Sequence, residues 1–536
     1  MPWNYGDLLD RVEAILDPAS PAFIHGERTI TWGETKIRTN NLARILIERG
    51  GKPDDKVAVY LRNRPEYMES LSASYKSRMV HVNINYRYKS DEVCYILDNA
   101  DAQAVIYETD FRDVIEKIRD RLPLVKTWIE VGGTNLPDWA LDYDKVTSSG
   151  SGEPIDIKRS PDDYFFVYTG GTTGMPKGVM WRTGDMARNW QAVLNVMYGR
   201  EINELDDLVE IIRTLPARTR VLPSCPLMHG TGLFASLGPQ LMGGCVVTVD
   251  SANLDPDAIF AAVEKHKVTL LVIVGDAFGK PLLNWLDANP GKYDLSSIKF
   301  INSSGAMWSA DVKQGFLRHI PDATLNDGFG STEALGLGSS IMTKDGETQT
   351  AKFVIGPLAQ VFDENDEPIA PGSGKPGLIA LGGPLPMGYY KDPEKTAKTF
   401  RTIRGQRYSI PGDMCIVEAD GSLTLLGRGS NCINTAGEKV YPEEVEEVLK
   451  THPAVEDALV IGVPDDKWGQ AVTGVVKLSS GVPFDEESVR AHVRDKLAGY
   501  KTPKRVLIGT LPLRAPNGKA DYKAVTEFAR RELGIA

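Results

Sequence analysis

Residues 164–179 read Tyr164-Phe165-Phe166-Val167-Tyr168-Thr169-Gly170-Gly171-Thr172-Thr173-Gly174-Met175-Pro176-Lys177-Gly178-Val179. The first five, aromatic and β-branched, predict a strand. The strand runs into a loop of four glycines, three threonines and one lysine. Glycines let a backbone approach a phosphate closely and turn its N–H groups outward as donors. Thr169, Thr172 and Thr173 add hydroxyl donors, and Lys177 adds a positive point charge. The string predicts a polyphosphate cradle built from Thr169, Gly170, Gly171, Thr172, Thr173, Gly174 and Lys177. It is not a Walker A loop, because Pro176 precedes the lysine and Gly178 stands where a magnesium-binding hydroxyl would be. The bland alternative for a shorter string of this kind is a Gly/Thr-rich hairpin turn.

Outward from the loop, short apolar runs alternate with stretches of helical period. Lys56–Tyr60, Ala104–Tyr107, Cys245–Val249 and Thr269–Val274 read as strands; Thr35–Arg49 and Pro256–His266 read as helices. This alternation predicts an α/β fold with largely parallel sheets. From about Phe362 the texture changes to short strands and Gly/Pro turns, which predicts a small β subdomain over about 362–427. Gly427-Arg428-Gly429-Ser430-Asn431 then breaks the pattern before a compact α+β segment. The division expected is a large N-terminal domain over 1–427 and a small one over 428–536.

The chain has 536 residues, 42% hydrophobic and 25% charged, with a net charge of −11. That length supports a large buried core and excludes a peptide hormone or a lone binding module. The acidic balance argues against a nucleic-acid coat or a surface built for anionic lipid. Five scattered cysteines without metal-ligand spacing predict neither a disulfide framework nor a zinc site, and fit a reducing cytoplasm. Residues 1–7 show no basic stretch leading an apolar run, so no secretory signal is expected. The longest apolar runs, such as Leu270–Val274, are far too short to span a bilayer, so no integral membrane segment is expected.

Residues 168–178 match throughout the signature Tyr-Thr-Ser/Gly-Gly-Thr-Thr-Gly-x-Pro-Lys-Gly, and here the chain resembles the adenylate-forming superfamily of acyl-CoA synthetases, aryl-CoA ligases, luciferases and adenylation domains. The resemblance extends in order over nearly the whole chain. It implies a large N-terminal domain of mainly parallel sheets flanked by helices plus a small β subdomain, with a small mobile α+β C-terminal domain.

What the resemblance implies can be followed residue by residue. Asn326-Asp327-Gly328-Phe329-Gly330-Ser331-Thr332-Glu333 resembles the second nucleotide motif, with Phe329 beside adenine, Thr332 at the α-phosphate and Glu333 holding Mg²⁺. A carboxylate is the hard oxygen ligand that Mg²⁺ prefers. Asp327, Gly328, Gly330 and Ser331 complete that motif, and Ser304, Gly305 and Ala306 border adenine. Asp413, after Ser409-Ile410-Pro411-Gly412, resembles the ribose aspartate, whose two oxygens suit a cis-diol. Arg428 is expected at the ribose or phosphate. Ser430 takes the hinge position, where the family usually carries Asp or Lys. Ala436, Gly437, Glu438 and Lys439 match the loop swung in for thioester formation. Pro442-Glu443-Glu444 reads independently as a helix start with acidic residues in its first turn. Lys519, in Pro516-Asn517-Gly518-Lys519, resembles the adenylation lysine, which stabilises charge building on the α-phosphate.

Cys225-Pro226-Leu227-Met228-His229-Gly230-Thr231-Gly232 aligns with the substrate motif of the superfamily, placing Met228 and His229 at the acid pocket, with Gly275 and Asp276 as a further wall. A packed histidine after a strand is the alternative for His229. Asp276 is also read as a helix cap before 277–288. No aspartate stands between Cys225 and Gly238 to pair an α-ammonium, which speaks against amino-acid substrates. No Gly-x-Ser-x-Gly elbow is present, which speaks against a hydrolase. The implied activity is an AMP-forming acid–CoA ligase using ATP, Mg²⁺ and CoA on a small-molecule carboxylic acid. Catalysis would rest on Lys519, Thr332, Glu333 and His229. The strings look most like bacterial fatty-acyl-CoA synthetases that act on fatty or sterol side-chain acids. A carrier protein as acyl acceptor is the alternative, disfavoured by a chain that ends 17 residues after Lys519. No nucleic-acid partner is expected, and a homodimer is left open.

Overall fold

The computed structural model describes residues 3–169, 175–346, 350–435, 438–465, 468–497, 499–515 and 518–535. Among these, four sheets organise the molecule. The first is wholly parallel, in the order Val80–Asn83, Lys56–Tyr60, Ala102–Glu108, Thr127–Val131, Ala140–Asp142. The second has fifteen strands and changes character along its length. From Pro21–His25 through Cys245–Thr248, Arg220–Pro223, Leu270–Ile273 and Phe300–Ser304 to Thr324–Ser331 every neighbour is parallel. From Ala334–Met342 onward, through Lys352–Ile355, Ser422–Arg428, Asp413–Val417 and Pro376–Leu381, the neighbours are antiparallel. The antiparallel texture therefore begins before residue 362, and it stays hydrogen-bonded into the parallel part.

The parallel strands are buried on both faces, as crossover helices require. Val221, Leu222, Leu271, Val272, Ile301 and Leu325 are all fully buried. Each such side chain contributes about 1.5–3 kcal/mol relative to leaving it in water. The helices between follow their local signals. Pro256–His266 starts with Asp255, whose side chain accepts from the Ala258 N–H, places Pro256 in its first turn, and ends at Lys267 with φ 50°. Pro442–Lys450 likewise opens on proline with Glu443 and Glu444 in its first turn.

The third sheet departs from the parallel expectation. Tyr164–Thr169 and Lys177–Arg182 form an antiparallel hairpin, with Gly388–Tyr389 as its third strand. A connection this short can join only antiparallel neighbours, since a parallel return needs a crossover. The hairpin reading thus holds for the two strands that flank the glycine-rich stretch, while residues 170–174, on which the cradle reading falls, lie outside the described residues. The fourth sheet belongs to the smaller C-terminal domain and holds Glu438–Val440, Ile433–Thr435, Gly469–Leu478, Val455–Asp465 and Arg505–Ile508. No helix of the described residues is long and apolar enough to cross a membrane.

Candidate functional site

In open α/β sheets, ligands collect beyond the carboxyl ends of the parallel strands. The sequence-predicted residues stand there: His229 after Arg220–Pro223, Gly275 after Leu270–Ile273, Ser304 and Gly305 at the end of Phe300–Ser304, and Gly328 at the end of the parallel stretch of Thr324–Ser331.

Thr332 and Glu333 form the two-residue tip of a hairpin, because Ser331 pairs with Ala334 across it. Gly330 makes that turn possible: a Cβ there would come within 2.9 Å of the Ala334 carbonyl oxygen. The tip is held by the Trp181 indole N–H, which donates to the Thr332 carbonyl at 2.9 Å. The Tyr389 hydroxyl donates to Glu333 Oε1 at 2.8 Å. A Cβ on Gly230 would lie 3.6 Å from Thr332 Oγ1, so the acid-pocket motif and the second nucleotide motif touch. Thr231 Oγ1 donates to the Ser304 carbonyl at 3.3 Å, joining the adenine-border segment to the same group.

Gly275 draws the last wall in. Its φ is 51°, and a Cβ there would lie 2.8 Å from the Ala306 carbonyl oxygen. Its N–H is accepted by Ser303 Oγ at 2.9 Å. Ala306 is half-buried beside it. Asp276 is not the cap of its own helix, which runs Gly275–Ala288 with Val274 at the N-cap. Its Oδ1 instead accepts from the Ser309 N–H at 2.8 Å and from Ser309 Oγ at 3.0 Å, holding the N-cap residue of the next helix, Ala310–His319. The turn at Gly275 rotates Asp276 past the cap position. Asp276 also borders a cleft of about 420 Å³ shared with Glu456, Arg514 and Gly518 of the small domain.

His229 occupies the N-cap of the helix Gly230–Leu241 without a side-chain capping bond. Among the described residues its Nε2 is buried and has no hydrogen-bond partner, and so is Ser331 Oγ. Burial first, then the charges of Lys519 and Arg87, push the His229 imidazole down to about 3, so it is neutral at physiological pH. Lys519 is exposed and its segment packs on this wall: a Cβ on Gly518 would come within 2.9 Å of Ala277 Cβ. Met228 is fully buried, its sulfur accepting from the Tyr86 N–H at 3.3 Å, so it backs the pocket from within the core.

Three side chains of the motif residues have partners within the protein. Asp327 is buried, and its carboxylate takes the Lys313 ammonium at 2.7 Å. Along the strand Leu325, Asp327 and Phe329 are buried and alternate with Asn326, Gly328 and Gly330, so the carboxylate faces away from Gly328. Phe329 packs on Phe353 at 5.2 Å in the antiparallel core. Lys177 is ion-paired with Asp392. Thr169 ends its strand half-buried. Asp413 is buried at the start of its strand and lies opposite Arg428 in register. Ser430 sits in the 3₁₀ turn Gly429–Asn431, between the last strand of the large sheet and the first of the small one. The side chains of Arg428, Ser430, Glu438 and Lys439, and the residues Gly170, Gly171, Thr172, Thr173, Gly174, Ala436 and Gly437, lie outside the described residues.

The motif reading missed Asn83, Lys313, Tyr389 and Asp392. Asn83 ends an apolar strand and is buried; its Nδ2 donates to the carbonyls of Tyr168 at 2.9 Å and Met228 at 2.7 Å. Its Oδ1 accepts from the Tyr168 N–H at 2.6 Å. One amide thus ties the glycine-loop strand to the acid-pocket motif. The only signal in the sequence was a polar residue closing Val80-His81-Val82-Asn83.

The model of the AMP-binding enzyme family matches residues 13–390, and that of the AMP-binding enzyme C-terminal domain matches residues 444–519. The chain belongs to the AMP-binding enzymes. It is 40% identical to a 3-oxocholest-4-en-26-oate–CoA ligase of Rhodococcus rhodochrous, over 99% of this chain and 96% of that protein. It is 39% identical to a medium/long-chain-fatty-acid–CoA/3-oxocholest-4-en-26-oate–CoA ligase of Mycolicibacterium smegmatis, over 98% and 97%. A crystal structure of the anthranilate CoA ligase AuaEII in complex with anthranoyl-AMP shares the fold, with a TM-score of 0.84, 21% identity and coverage of 99% and 98%. Among the described residues of this AMP-binding enzyme's site, the Glu333 carboxylate, with one oxygen oriented by Tyr389, is of the chemistry that suits a hard cation. No group of three or more His, Cys, Asp or Glu that could hold a metal occurs among the described residues. The donor set therefore fits a divalent cation that arrives with phosphates supplying its other ligands.

Proposed function

We propose that this enzyme joins a hydrophobic carboxylic acid to CoA in two steps, with acyl-AMP between them. The observation that carries the reading is the meeting of Gly230, Ser304 and Thr332 at one end of one sheet, with the Lys519 segment packed on Val274–Phe278. An acid pocket and a nucleotide motif side by side suit attack of one bound group on the other.

In the first step a carboxylate oxygen attacks the α-phosphorus of ATP, and pyrophosphate leaves. Residues 169–177 and Thr332 position the phosphates, and Asp413 holds the ribose. Lys519 compensates charge building on the α-phosphate. Neutral His229 lines the pocket without adding a charge that would compete for the carboxylate. Magnesium bound with the triphosphate supplies further charge neutralisation, held on the protein side by Glu333. In the second step the small domain turns about Ser430, withdrawing Lys519 and bringing in Ala436–Lys439. The CoA thiolate then attacks the acyl carbon, and AMP leaves. What supports a turn at this place is the 3₁₀ segment Gly429–Asn431, which joins the two sheets.

Fatty acids and C26 sterol side-chain acids are the proposed substrate class, following the printed activities of the two curated relatives. The absence of any aspartate between Cys225 and Gly238 speaks against an amino-acid substrate. A cytoplasmic location is proposed with it, since all five cysteines are free thiols. The test is purified protein with ATP, Mg²⁺, CoA and a panel of fatty, aryl and sterol side-chain acids, followed by mass detection. AMP and an acyl-CoA appearing together for one acid class is the result expected. Acyl-AMP without thioester would move the acceptor to a carrier protein, and no AMP with any acid would overturn the reading.

A further inference from the structure

The glycine-loop hairpin carries a third strand whose role no motif reading assigns. Gly388–Tyr389 pairs with Val179 and Met180, and the flanking bonds Met387 N–H to the Met180 carbonyl at 2.7 Å and Tyr390 N–H to the Gly178 carbonyl at 2.8 Å extend that pairing. This strand reaches two functional groups far from it in sequence. The Tyr389 hydroxyl donates to Glu333 Oε1, and Asp392 pairs with Lys177 at the end of the glycine-rich loop.

We propose that Tyr389 is a positioning residue for Glu333, setting the carboxylate at a fixed place relative to Lys177, where it would hold a divalent cation that arrives with ATP. This rests on the reading of Glu333 as the metal carboxylate given above.

Three observations carry the proposal. First, Tyr389 is 4% exposed, so its hydroxyl is delivered from a packed ring and not from a mobile side chain. Second, its backbone is itself fixed: its N–H is accepted by Thr396 Oγ1 at 2.9 Å, and that hydroxyl donates to the Asp392 carbonyl at 2.7 Å. Asp392 caps the helix Pro393–Thr399, accepting from the Lys395 N–H at 2.9 Å. The segment from 388 to 396 is thus one closed unit, gripping Glu333 at one end and Lys177 at the other. Third, a neutral phenol is suited to the task. It occupies one lone pair of Oε1 and fixes the carboxylate plane, yet it leaves Oε2 and the net negative charge for a hard cation. An arginine or lysine in that place would cancel the charge the cation needs.

A ring that only fills the core predicts the opposite pattern. Tyr389→Phe keeps the ring packed against Phe400 and removes the hydroxyl alone. The experiment titrates ATP into the full-length protein by calorimetry, with and without MgCl₂, for the parent, Y389F, E333Q and Y389F/E333Q. The readout is the ratio of the two dissociation constants, which measures what Mg²⁺ adds to ATP binding. We expect Y389F to cut that ratio about five- to tenfold, to leave the metal-free constant within twofold, and to add nothing in the E333Q background. An unchanged ratio in Y389F, with the ratio lost in E333Q, overturns the role of Tyr389 and spares that of Glu333. A ratio unchanged in E333Q overturns the assignment of Glu333 itself. Equal weakening by Y389F with and without Mg²⁺ also overturns the proposal, since it marks a general loss of packing. The melting temperature of Y389F, expected to equal that of the parent, separates that last case.

Discussion

Two surfaces meet at this site, and they are built differently. On the large domain, groups assigned to the nucleotide are held from several directions at once. Glu333 takes the Tyr389 hydroxyl, the Thr332 carbonyl takes the Trp181 indole, Lys177 pairs with Asp392, and the strand beneath is anchored by the buried pair Asp327–Lys313. The small domain reaches the same cleft at Glu456 and Gly518. The Lys280 ammonium of the helix Gly275–Ala288 donates to the Glu456 carbonyl at 3.0 Å, and Gly518 lies against Ala277 and Phe278 without a side chain of its own. The contrast fits the proposed sequence of half-reactions: over-determined contacts suit a face that stays put, and contacts made by a long flexible amine and a glycine suit one proposed to turn away.

The largest expected effect breaks the moving face. Lys519→Ala should lower acid-dependent ATP–pyrophosphate exchange by about 10²–10³-fold, the range for removing one transition-state donor. Thioester formation from supplied acyl-AMP should stay near the parent rate; equal loss of both would erase the distinction between the faces. Next, Lys313→Met leaves the Asp327 carboxylate buried and unpaired, at a cost of about 3–5 kcal/mol. Denaturant unfolding should show a lowered midpoint, largely restored in K313M/D327L. Asp413→Ala should raise the KM for ATP roughly tenfold, as loss of a charge-assisted hydrogen bond predicts, with the KM for the acid unchanged. An unchanged ATP KM would remove Asp413 from the ribose. Lys280→Ala should have the smallest effect, about a two- to threefold loss in the first half-reaction and none in the second, consistent with the modest worth of an exposed hydrogen bond. A loss in the second half-reaction would show that this contact does not belong to the adenylating arrangement.

Acid pH probes the core of the large domain through His81. His81 is fully buried between Tyr67 and Phe165, and burial pushes its imidazole down to about 3. Between that value and the ordinary 6.5 the unfolded chain binds a proton that the folded one does not, so stability rises with pH across the window. The contribution is fully present above about 6.5 and is lost as pH falls toward 3. His81→Leu should flatten the fall in urea midpoint between pH 7 and pH 5, which parallel titrations would reveal.

Much of this was legible in the sequence because it is local. The strand Lys56–Tyr60 and the helix Pro256–His266 announce themselves by period and by Asp255-Pro256. The motifs around Lys177, Glu333, Asp413 and Lys519 are contiguous strings, and so was the family. What stayed hidden depends on partners distant in the chain. The partner of Asp327 lies on the preceding helix, that of Glu333 lies 56 residues later, and that of Lys177 lies 215 residues later. No periodicity reports such a pairing. Asp276 was misread for a more local reason: Gly275 with φ 51° advances the helix start by two residues, and a cap reading assumes an ordinary approach.

The long sheet also fixes the order in which the nascent chain can become compact. The five-stranded parallel sheet is complete once Asp142 has been made, from elements all within residues 56–142. The strand Pro21–His25 has to wait, because its parallel neighbour is Cys245–Thr248. At ordinary synthesis rates that delay is roughly 11–45 s after Phe23 is joined. Throughout it, Phe23 and Ile24, buried in the finished protein, have no sheet to enter on that side. The strand Pro21–His25 is thus a segment whose apolar side chains need cover during translation until residue 248 has been made.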